Sequence, residues 1–435
     1  MFEASAHVPD FLQPVETGTA MPPFPFARGA RESGFSTGRS AARRNAMRLV
    51  IAGGGTGGHL FPGLAIAEEF LARDPQNQVL FMGAFGGLEE RLVPLHGHRL
   101  ELLPSLKGGL LGLQVARKTM HLCQGYLQAR RLILEFGAQA VVGLGGYASA
   151  LPVLVAWGVE VPCLMLEQNV IPGKVTRKLS AFADEVGVQF LQSGRHLSCS
   201  RKIKHVGNPL RRNVVEASLK ATRRNLETRP IPEEPVLLVL GGSQGARFLN
   251  ELTVQLWPKV RKMVPNLRVL LVAGRDDGTR ASEAFAAAGI RGKVIPFTEA
   301  MEDLYLQADV VLARAGATTL AELAAFALPS ILIPYPHAAD DHQTANARVF
   351  QEAGAAWTFP QSKLDQERLA RRIADTVLQP ERRRRMAAAA ASLARPYAAA
   401  EVVDRLERLA SVRAPATPPR ATPPATPDAV HAGAA

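Results

Sequence analysis

Cysteine is scarce in this chain: Cys123, Cys163 and Cys199 are the only three in 435 residues, and they show neither a C-x-x-C pair nor a paired spacing. That argues against a disulfide framework and a cysteine zinc site, and it suits a reducing, cytoplasmic setting. A secretory signal is missing as well, because residues 1–46 mix Pro, Gly, Ser and charge without an apolar core. So is a convincing membrane span. The stretch 140–159 is uncharged, but it contains Gly143, Gly145, Gly146, Tyr147, Ser149 and Pro152. It is expected to form a buried strand, a glycine turn and a short apolar helix instead. Two nucleotide signatures are also absent. No glycine turn spells G-x-G-x-x-G with an acidic residue on the next strand, and none ends in the Lys-Ser/Thr of a P-loop. Dinucleotide redox chemistry and P-loop ATP hydrolysis lose their main support.

What is present is an excess of positive charge and a duplicated turn. The formal net charge is +12. Residues 1–46 hold five Arg against four acids and residues 412–435 two Arg against one Asp, so the excess lies in the body between them. Such a body suits an anionic partner: a phosphorylated substrate, an anionic lipid or a nucleic acid. The duplicated turn is glycine-rich. Gly53-Gly54-Gly55-Thr56-Gly57-Gly58-His59 follows the apolar run 49–52, and Gly241-Gly242-Ser243-Gln244-Gly245-Ala246-Arg247 follows 236–240. Each has the form of a strand running into a helix, where free N–H groups and close backbone approach favour a phosphate.

Strand and helix signals alternate through both halves, as parallel sheets with crossovers require. Strands are expected near 48–52, 79–82, 140–143, 162–166, 185–188 and 204–206, then near 236–240, 268–273, 293–296, 310–313 and 330–333. Helices are expected at 62–71 and 114–136, then at 246–264, 319–327, 342–353 and 365–378, with Pro62 in a first helical turn. The domain expectation is a disordered extension at 1–46, a first α/β domain at 47–210, a linker at 211–234 where charge and proline break the periodicity, a second domain at 235–411, and a disordered Ala/Pro tail at 412–435. The Arg382–Arg385 run reads as a solvated helix face.

Polar groups cluster at the strand ends, where a doubly wound fold builds its site. His59 at the mouth of the first turn is a candidate general base. Gly145-Gly146-Tyr147-Ala148-Ser149 offers backbone donors, a phenol and a hydroxyl, Glu167-Gln168-Asn169 ends the next strand, and Arg211 closes Gly207-Asn208-Pro209-Leu210-Arg211 with a guanidinium able to meet phosphate or carboxylate. In the second half Arg314-Ala315-Gly316-Ala317-Thr318-Thr319-Leu320-Ala321-Glu322 follows a strand and sets Glu322 one turn inside a helix. There its carboxylate serves either as a helix N-terminal charge or as an acceptor for two ribose hydroxyls. Asp340, Asp341 and His342 have no second cluster with ligand spacing to join them, so no metal site is expected.

In this order, the runs GGGTGGHLFPGLAIA, GLGGYAS, EQN, GNPLR, LGGSQGARFLN, RAGATTLAE and HAADDHQTANA closely resemble the MurG family, peptidoglycan glycosyltransferases that add N-acetylglucosamine to lipid I. The resemblance spans residues 47–409. It implies a GT-B fold, two Rossmann-like doubly wound α/β domains facing a central cleft, with an N-terminal acceptor domain at the membrane, a C-terminal domain for UDP-N-acetylglucosamine and a last helix crossing back to the first domain. Residue by residue it implies donor contacts at Thr56, Gly57 and Gly58, Asn169 on the sugar with Arg211 nearby, and Ser243 on the diphosphate. It also implies Thr298 on the uracil, the helix Ala317, Thr318, Thr319, Leu320, Ala321 and Glu322 around the nucleoside, with Glu322 holding the ribose, and Gln343 on a sugar hydroxyl. Leu166, Ala315 and Thr318 depart from residues found in some members.

The implied reaction is one inverting displacement that joins N-acetylglucosamine to the 4-hydroxyl of the muramyl sugar of lipid I and yields lipid II. His59 is the favoured base and Tyr147 the alternative. The helix start at Ser243–Gly245 and Arg211 would stabilise the departing diphosphate, so no metal need be essential and no cofactor is expected. Implied partners are UDP-N-acetylglucosamine, lipid I, an anionic membrane surface at the cytoplasmic face of the bacterial inner membrane and other cell-wall synthesis proteins, with no nucleic acid. The stretch 106–136 interleaves Leu and Ile with Lys107, Arg117, Lys118, Arg130 and Arg131, and reads either as a core helix with a basic face or as the membrane face. Rival readings are a diacylglycerol glycosyltransferase, a UDP-N-acetylglucosamine epimerase-like enzyme of the same fold, and a non-catalytic nucleotide-binding scaffold.

Overall fold

The computed structural model describes residues 46–55, 57–104, 114–198, 200–228, 230–242 and 247–413, with 114–120 as backbone only. Both expected disordered ends, apart from Ala46, Val412 and Arg413, lie outside these residues, as do Thr56, the segment 105–113, Cys199 and the Ser243–Ala246 turn.

The first half runs β1 (Arg48–Ala52), α1 (Gly57–Arg73), β2 (Gln78–Ala84), α2 (Glu89–Leu95), β3 (Arg99–Leu103), α3 (Gln114–Phe136), β4 (Ala140–Gly143), α4 (Ala150–Gly158), β5 (Cys163–Glu167), α5 (Lys174–Leu179), β6 (Glu185–Val188) and β7 (Ile203–His205). Helix α6 (Arg212–Leu226) leads into the second half. That half runs β8 (Val236–Leu240), α7 (Arg247–Met263), β9 (Arg268–Val272), α8 (Gly278–Ala287), β10 (Gly292–Ile295), α9 (Met301–Gln307), β11 (Val310–Ala313), α10 (Ala317–Ala325), β12 (Ser330–Leu332), α11 (His342–Glu352), β13 (Ala356–Thr358), α12 (Gln366–Leu378), α13 (Pro380–Ser392) and α14 (Ala398–Arg413).

All strand pairs are parallel. The sheet orders are β3-β2-β1-β4-β5-β6-β7 and β10-β9-β8-β11-β12-β13, so each order reverses at the strand that precedes a glycine-rich turn. Helices cover both faces of each sheet, which explains why the central strands are continuous apolar runs: β1, β4, β8 and β11 are almost wholly buried. The stretch 140–159 folds as a buried strand, a glycine turn and a short helix, as its glycines predict. Among the described residues no helix is long and apolar enough to cross a membrane.

Several expectations change. Strands β3 and β13 are edge strands the sequence reading did not contain. The segment 211–234 holds α6, whose Val214 and Ala221 join the core of the second half, with Ser218, Thr222 and Asn225 also buried on that helix. Its buried face is small or polar, which masks the helical period. Pro62 lies well inside α1 rather than in its first turn. Arg383 of the arginine run is 5 % exposed, donating to the carbonyls of Val377 and Pro230 at 2.9 and 3.2 Å. The last helix crosses back to the first half, as the resemblance implies: Val402, Val403 and Leu406 of α14 share a cluster with Leu49, Ile51 and Leu64. It ends at Arg413, which donates to Asp184 at 2.7 Å.

Candidate active site

In open α/β sheets ligands bind beyond the carboxyl ends of the strands, where the strand order reverses. Here those points are the ends of β1 and β4 in the first half, and of β8 and β11 in the second. The residues picked out by the glycine-rich motifs therefore fall at the two switch points.

At the first switch point the turn after β1 is drawn against the turn after β4. Leu144 N–H donates to Ala52 C=O at 2.8 Å, and a Cβ on Gly53 would lie 2.7 Å from the Leu144 Cβ. Gly55, Gly145 and Gly146 have φ of 84°, 89° and 72°, a backbone that favours glycine. His59, partly buried in the first turn of α1, lies over Gly145 and Gly146, so close that a Cβ on either would come within 3.3 and 3.6 Å of its ring. Burial first, and the neighbouring His342 second, hold the His59 imidazole below its ordinary pKa. A hydrogen bond to the Gly54 carbonyl and the charge of Glu89 pull the other way. The ring is therefore neutral near pH 7, as a base must be. Tyr147 is 48 % exposed at the start of the turn after β4.

The proline inside α1 has a structural consequence. Without an N–H, Pro62 leaves the carbonyl four residues earlier, that of Gly58, outside the helical ladder. The Thr318 hydroxyl from α10 of the second half faces that carbonyl at 3.4 Å, and Asn208 Nδ2 donates to the same hydroxyl oxygen at 3.3 Å. Gln189 Nε2 donates to Ala317 C=O at 3.0 Å. The strand ends of the two halves thus meet at the start of α10.

Asn169 sits in a loop fixed by a buried carboxylate. Glu167 accepts the N–H groups of Asn169 and Gly173, each at 2.9 Å, while burial raises its pKa. The Asn169 carboxamide oxygen accepts from Asn346 Nδ2 at 3.0 Å, and Asn346 Oδ1 accepts the Val170 N–H at 2.9 Å. Asn346 belongs to α11 in the second half, is 0 % exposed, and also donates to Ala315 C=O at 3.2 Å. Gln343 uses its carboxamide oxygen to accept the N–H groups of Ala315 and Tyr335, at 3.1 and 3.0 Å.

Arg211 links the end of the first half to the loop after β10. It donates to Glu299 C=O at 2.6 Å and lies 5.5 Å from the centre of the Phe61 ring. Thr298, beside Glu299, accepts the Ala300 N–H at 3.0 Å through its hydroxyl. Glu322 accepts from the Tyr305 hydroxyl at 2.7 Å. Burial raises its carboxyl to about 7 against the pull of that bond and of the Arg211 charge. Arg314 is held by the carbonyls of Ile333 and Pro334 and by Gln361, and burial lowers it to about 10.

The structure thus brings His59, Gly57, Gly58, Asn169, Arg211, Thr298, Gln343 and the α10 residues Ala317 to Glu322 to the facing ends of two sheets. Within α10 Leu320 is 0 % exposed in the core, and its N–H donates to Gly316 C=O at 2.9 Å. Thr56 and Ser243 lie outside the described residues. The Asp340-Asp341-His342 cluster is already engaged: Arg177 of α5 pairs with Asp340, Thr344 donates to Asp341, and His342 Nδ1 meets Ala339 C=O. The sequence reading missed Glu89, Tyr305, Asn346 and Gln189. Only Asn346 lay within a quoted motif, and none of the four stands in a local pattern that marks it.

Known proteins fit this geometry. The glycosyltransferase family 28 N-terminal domain matches residues 49–188 and the C-terminal domain of the same family matches 236–402. A UDP-N-acetylglucosamine–N-acetylmuramyl-(pentapeptide) pyrophosphoryl-undecaprenol N-acetylglucosamine transferase of Geobacter sulfurreducens is 41 % identical over 372 residues, covering 84 % of this chain and 99 % of the relative. A protein of the same name from Myxococcus xanthus is 38 % identical, over 82 % of this chain and 92 % of its own. Among solved structures, Acinetobacter baumannii MurG matches with a TM-score of 0.65 at 26 % identity, over 83 % of this chain and 99 % of that one. A UDP-GlcNAc 2-epimerase from Neisseria meningitidis shares the fold alone, with a TM-score of 0.55 at 14 % identity, over 83 % and 100 % of the two chains. Both domain models match in order, and the relatives are matched along nearly their whole length: the chain is a GT-B protein that belongs to the MurG family of glycosyltransferase family 28.

Proposed function

We propose that this chain transfers N-acetylglucosamine from UDP-N-acetylglucosamine to the 4-hydroxyl of the muramyl sugar of lipid I, forming lipid II for peptidoglycan synthesis. The observation that carries the reading is the pairing of two strand-order switch points, one presenting a neutral imidazole and the other a helix with a carboxylate one turn in. A sugar nucleotide would lie between them. Glu322 accepts the ribose hydroxyls within the α10 nucleoside helix, the loop at Thr298 holds the uracil, and Ser243 with Arg211 is assigned to the diphosphate. Gly57, Gly58, Asn169 and Gln343 line the sugar, with Thr56 and Ser243 assigned to the same donor site.

The α-linked donor and β-linked product require one inverting displacement. His59 takes the proton of the acceptor hydroxyl while its oxygen attacks C1, the bond from C1 to the diphosphate oxygen breaks, and UDP leaves with the electron pair. Positive groups facing the leaving oxygens act where charge develops and supply the stabilisation. The domain reading is an acceptor domain at 47–210, a connection at 211–234 and a donor domain at 235–411, whose last helix returns to the first.

We place the enzyme at the cytoplasmic face of the inner membrane, held peripherally. Support comes from Leu127, Leu134 and Trp157, which are 64, 47 and 58 % exposed on α3 and α4, with Arg130 and Arg131 also exposed on α3. Lys107 and the leucines of 106–113 lie outside the described residues. Labelled UDP-N-acetylglucosamine with a soluble lipid I analogue should give a β-1,4 disaccharide. His59→Ala should lower kcat by about 10²–10⁴-fold with little change in donor affinity. Release of N-acetylmannosamine without acceptor would instead indicate an epimerase, and near-normal kcat in His59→Ala would move the base to Tyr147 or solvent.

A further inference from the structure

His59 is joined to a buried carboxylate by a single peptide group. The unit between Gly54 and Gly55 donates its N–H to Glu89 Oε2 at 2.7 Å, and its carbonyl accepts the hydrogen bond from the His59 ring. Glu89 opens α2, is 1 % exposed, and accepts a second backbone N–H, that of Ala84, at 3.1 Å through Oε1. Three glycines make room for it: a Cβ on Gly54, Gly83 or Gly87 would lie 2.3, 2.6 or 2.1 Å from its side-chain atoms. These come from the turn after β1, from β2 itself, and from the loop before α2. A carboxylate so enclosed is costly unless its oxygens are hydrogen-bonded, and the bonds it makes fix the conformation of the turn that begins α1.

We propose that Glu89 is the positioning residue of this active site: through the Gly54–Gly55 peptide it fixes the ring orientation and tautomer of His59, presenting the second ring nitrogen to the acceptor hydroxyl. The inference rests on His59 being the base. An anion on the N–H side of a peptide polarises it and strengthens its carbonyl as an acceptor, so the hydrogen-bond chain holds the imidazole more firmly than the Gly54 carbonyl would alone. When His59 takes the acceptor proton, the imidazolium forms with a negative charge one peptide away. The arrangement gives the base the third group that commonly orients a catalytic imidazole, with a backbone amide inserted between the two side chains. The groups whose charge acts on His59 are Glu89 from α2 and His342 from α11.

The test is a double-mutant cycle on the full chain, reading kcat against pH at saturating donor with a soluble lipid I analogue, and UDP affinity by calorimetry. Glu89→Gln keeps the outline of the side chain, removes the charge, and leaves one oxygen to accept only one of the two backbone N–H groups. It should lower kcat about 10- to 100-fold, the range found when a group orienting a metal-bound imidazole is lost, and leave UDP affinity within about twofold. The acid limb of kcat should move to lower pH, because the carboxylate that favours the charged ring is gone. In a His59→Ala background the same substitution should have no further effect on kcat. Equal losses in both backgrounds, or an unchanged kcat and pH limb in a folded variant, would overturn the proposal. If His59→Ala itself keeps normal kcat, the base assignment fails and this inference with it. Should Glu89→Gln not fold, Gly87→Ala presses on the carboxylate and keeps its charge. A kcat loss that disappears in the His59→Ala background supports the proposal, and no loss overturns it.

Discussion

The fully buried phenol of Tyr305 donates a 2.7 Å hydrogen bond to Glu322, the residue assigned to the ribose. One carboxylate oxygen is thereby committed to α9, and the carboxylate is aimed before any ligand arrives. Removing it should cost UDP a charge-assisted hydrogen bond, roughly 1.5–3 kcal/mol. Glu322→Ala should therefore bind UDP about tenfold to more than a hundredfold more weakly by calorimetry. Unchanged affinity would show that the ribose is held elsewhere.

The same carboxyl predicts a pH dependence. Burial raises Glu322 to about 7 in the free protein, and ribose hydroxyls held there as proposed would donate to the ionised form. UDP binding should then release protons near neutrality, and affinity should fall as pH is lowered through about 7. Calorimetry in buffers of different ionisation enthalpy measures the release. Glu322→Gln should abolish it, and release that persists in that variant would place the titrating group elsewhere.

Asn346 joins Asn169 and Val170 of the first half to Ala315 of the second while fully buried. Asn346→Leu would leave the Val170 N–H without this partner, and an orphaned buried group costs about 1–3 kcal/mol. The expected outcome is a lower Tm and a raised KM for the sugar nucleotide, because the Asn169 carboxamide loses its support. A folded variant with wild-type Tm and KM would mean the contact contributes nothing.

Charge stabilisation by helix starts and Arg211 leads us to expect transfer to persist in excess EDTA. The measurement is product formation with and without chelator. Complete loss, restored by magnesium, would assign the leaving group's charge to a metal.

For the membrane face, replacing Arg117, Lys118, Arg130 and Arg131 together by Gln should reduce co-sedimentation with anionic vesicles. Each basic residue near such a surface contributes about 1 kcal/mol. UDP affinity should be unaffected, and high salt should weaken wild-type binding. Unchanged sedimentation of the folded variant would put the membrane contact on another surface.

The sequence by itself determined the parallel architecture and the glycine turns at the strand ends. Central strands such as β1 and β8 are buried on both faces, so they are uninterrupted apolar runs, and glycine turns such as Gly53–Gly55 use backbone conformations that favour glycine. Both signals are local and survive in the linear chain. Edge strand β13 was not legible because three residues form a strand only when β12 supplies the partner. Helix α6 was hidden because its buried face is partly Ser, Thr and Asn, each taking its place from neighbouring backbone: Thr222 and Asn225 donate to the carbonyls of Ala325 and Phe326. Glu89, Tyr305 and Asn346 depended on tertiary structure for the same reason. Their partners stand 34, 17 and 177 residues away, at Gly55, Glu322 and Asn169. A carboxylate, a phenol and a carboxamide acquire such roles only when folding removes water and brings the distant hydrogen-bonding group into reach.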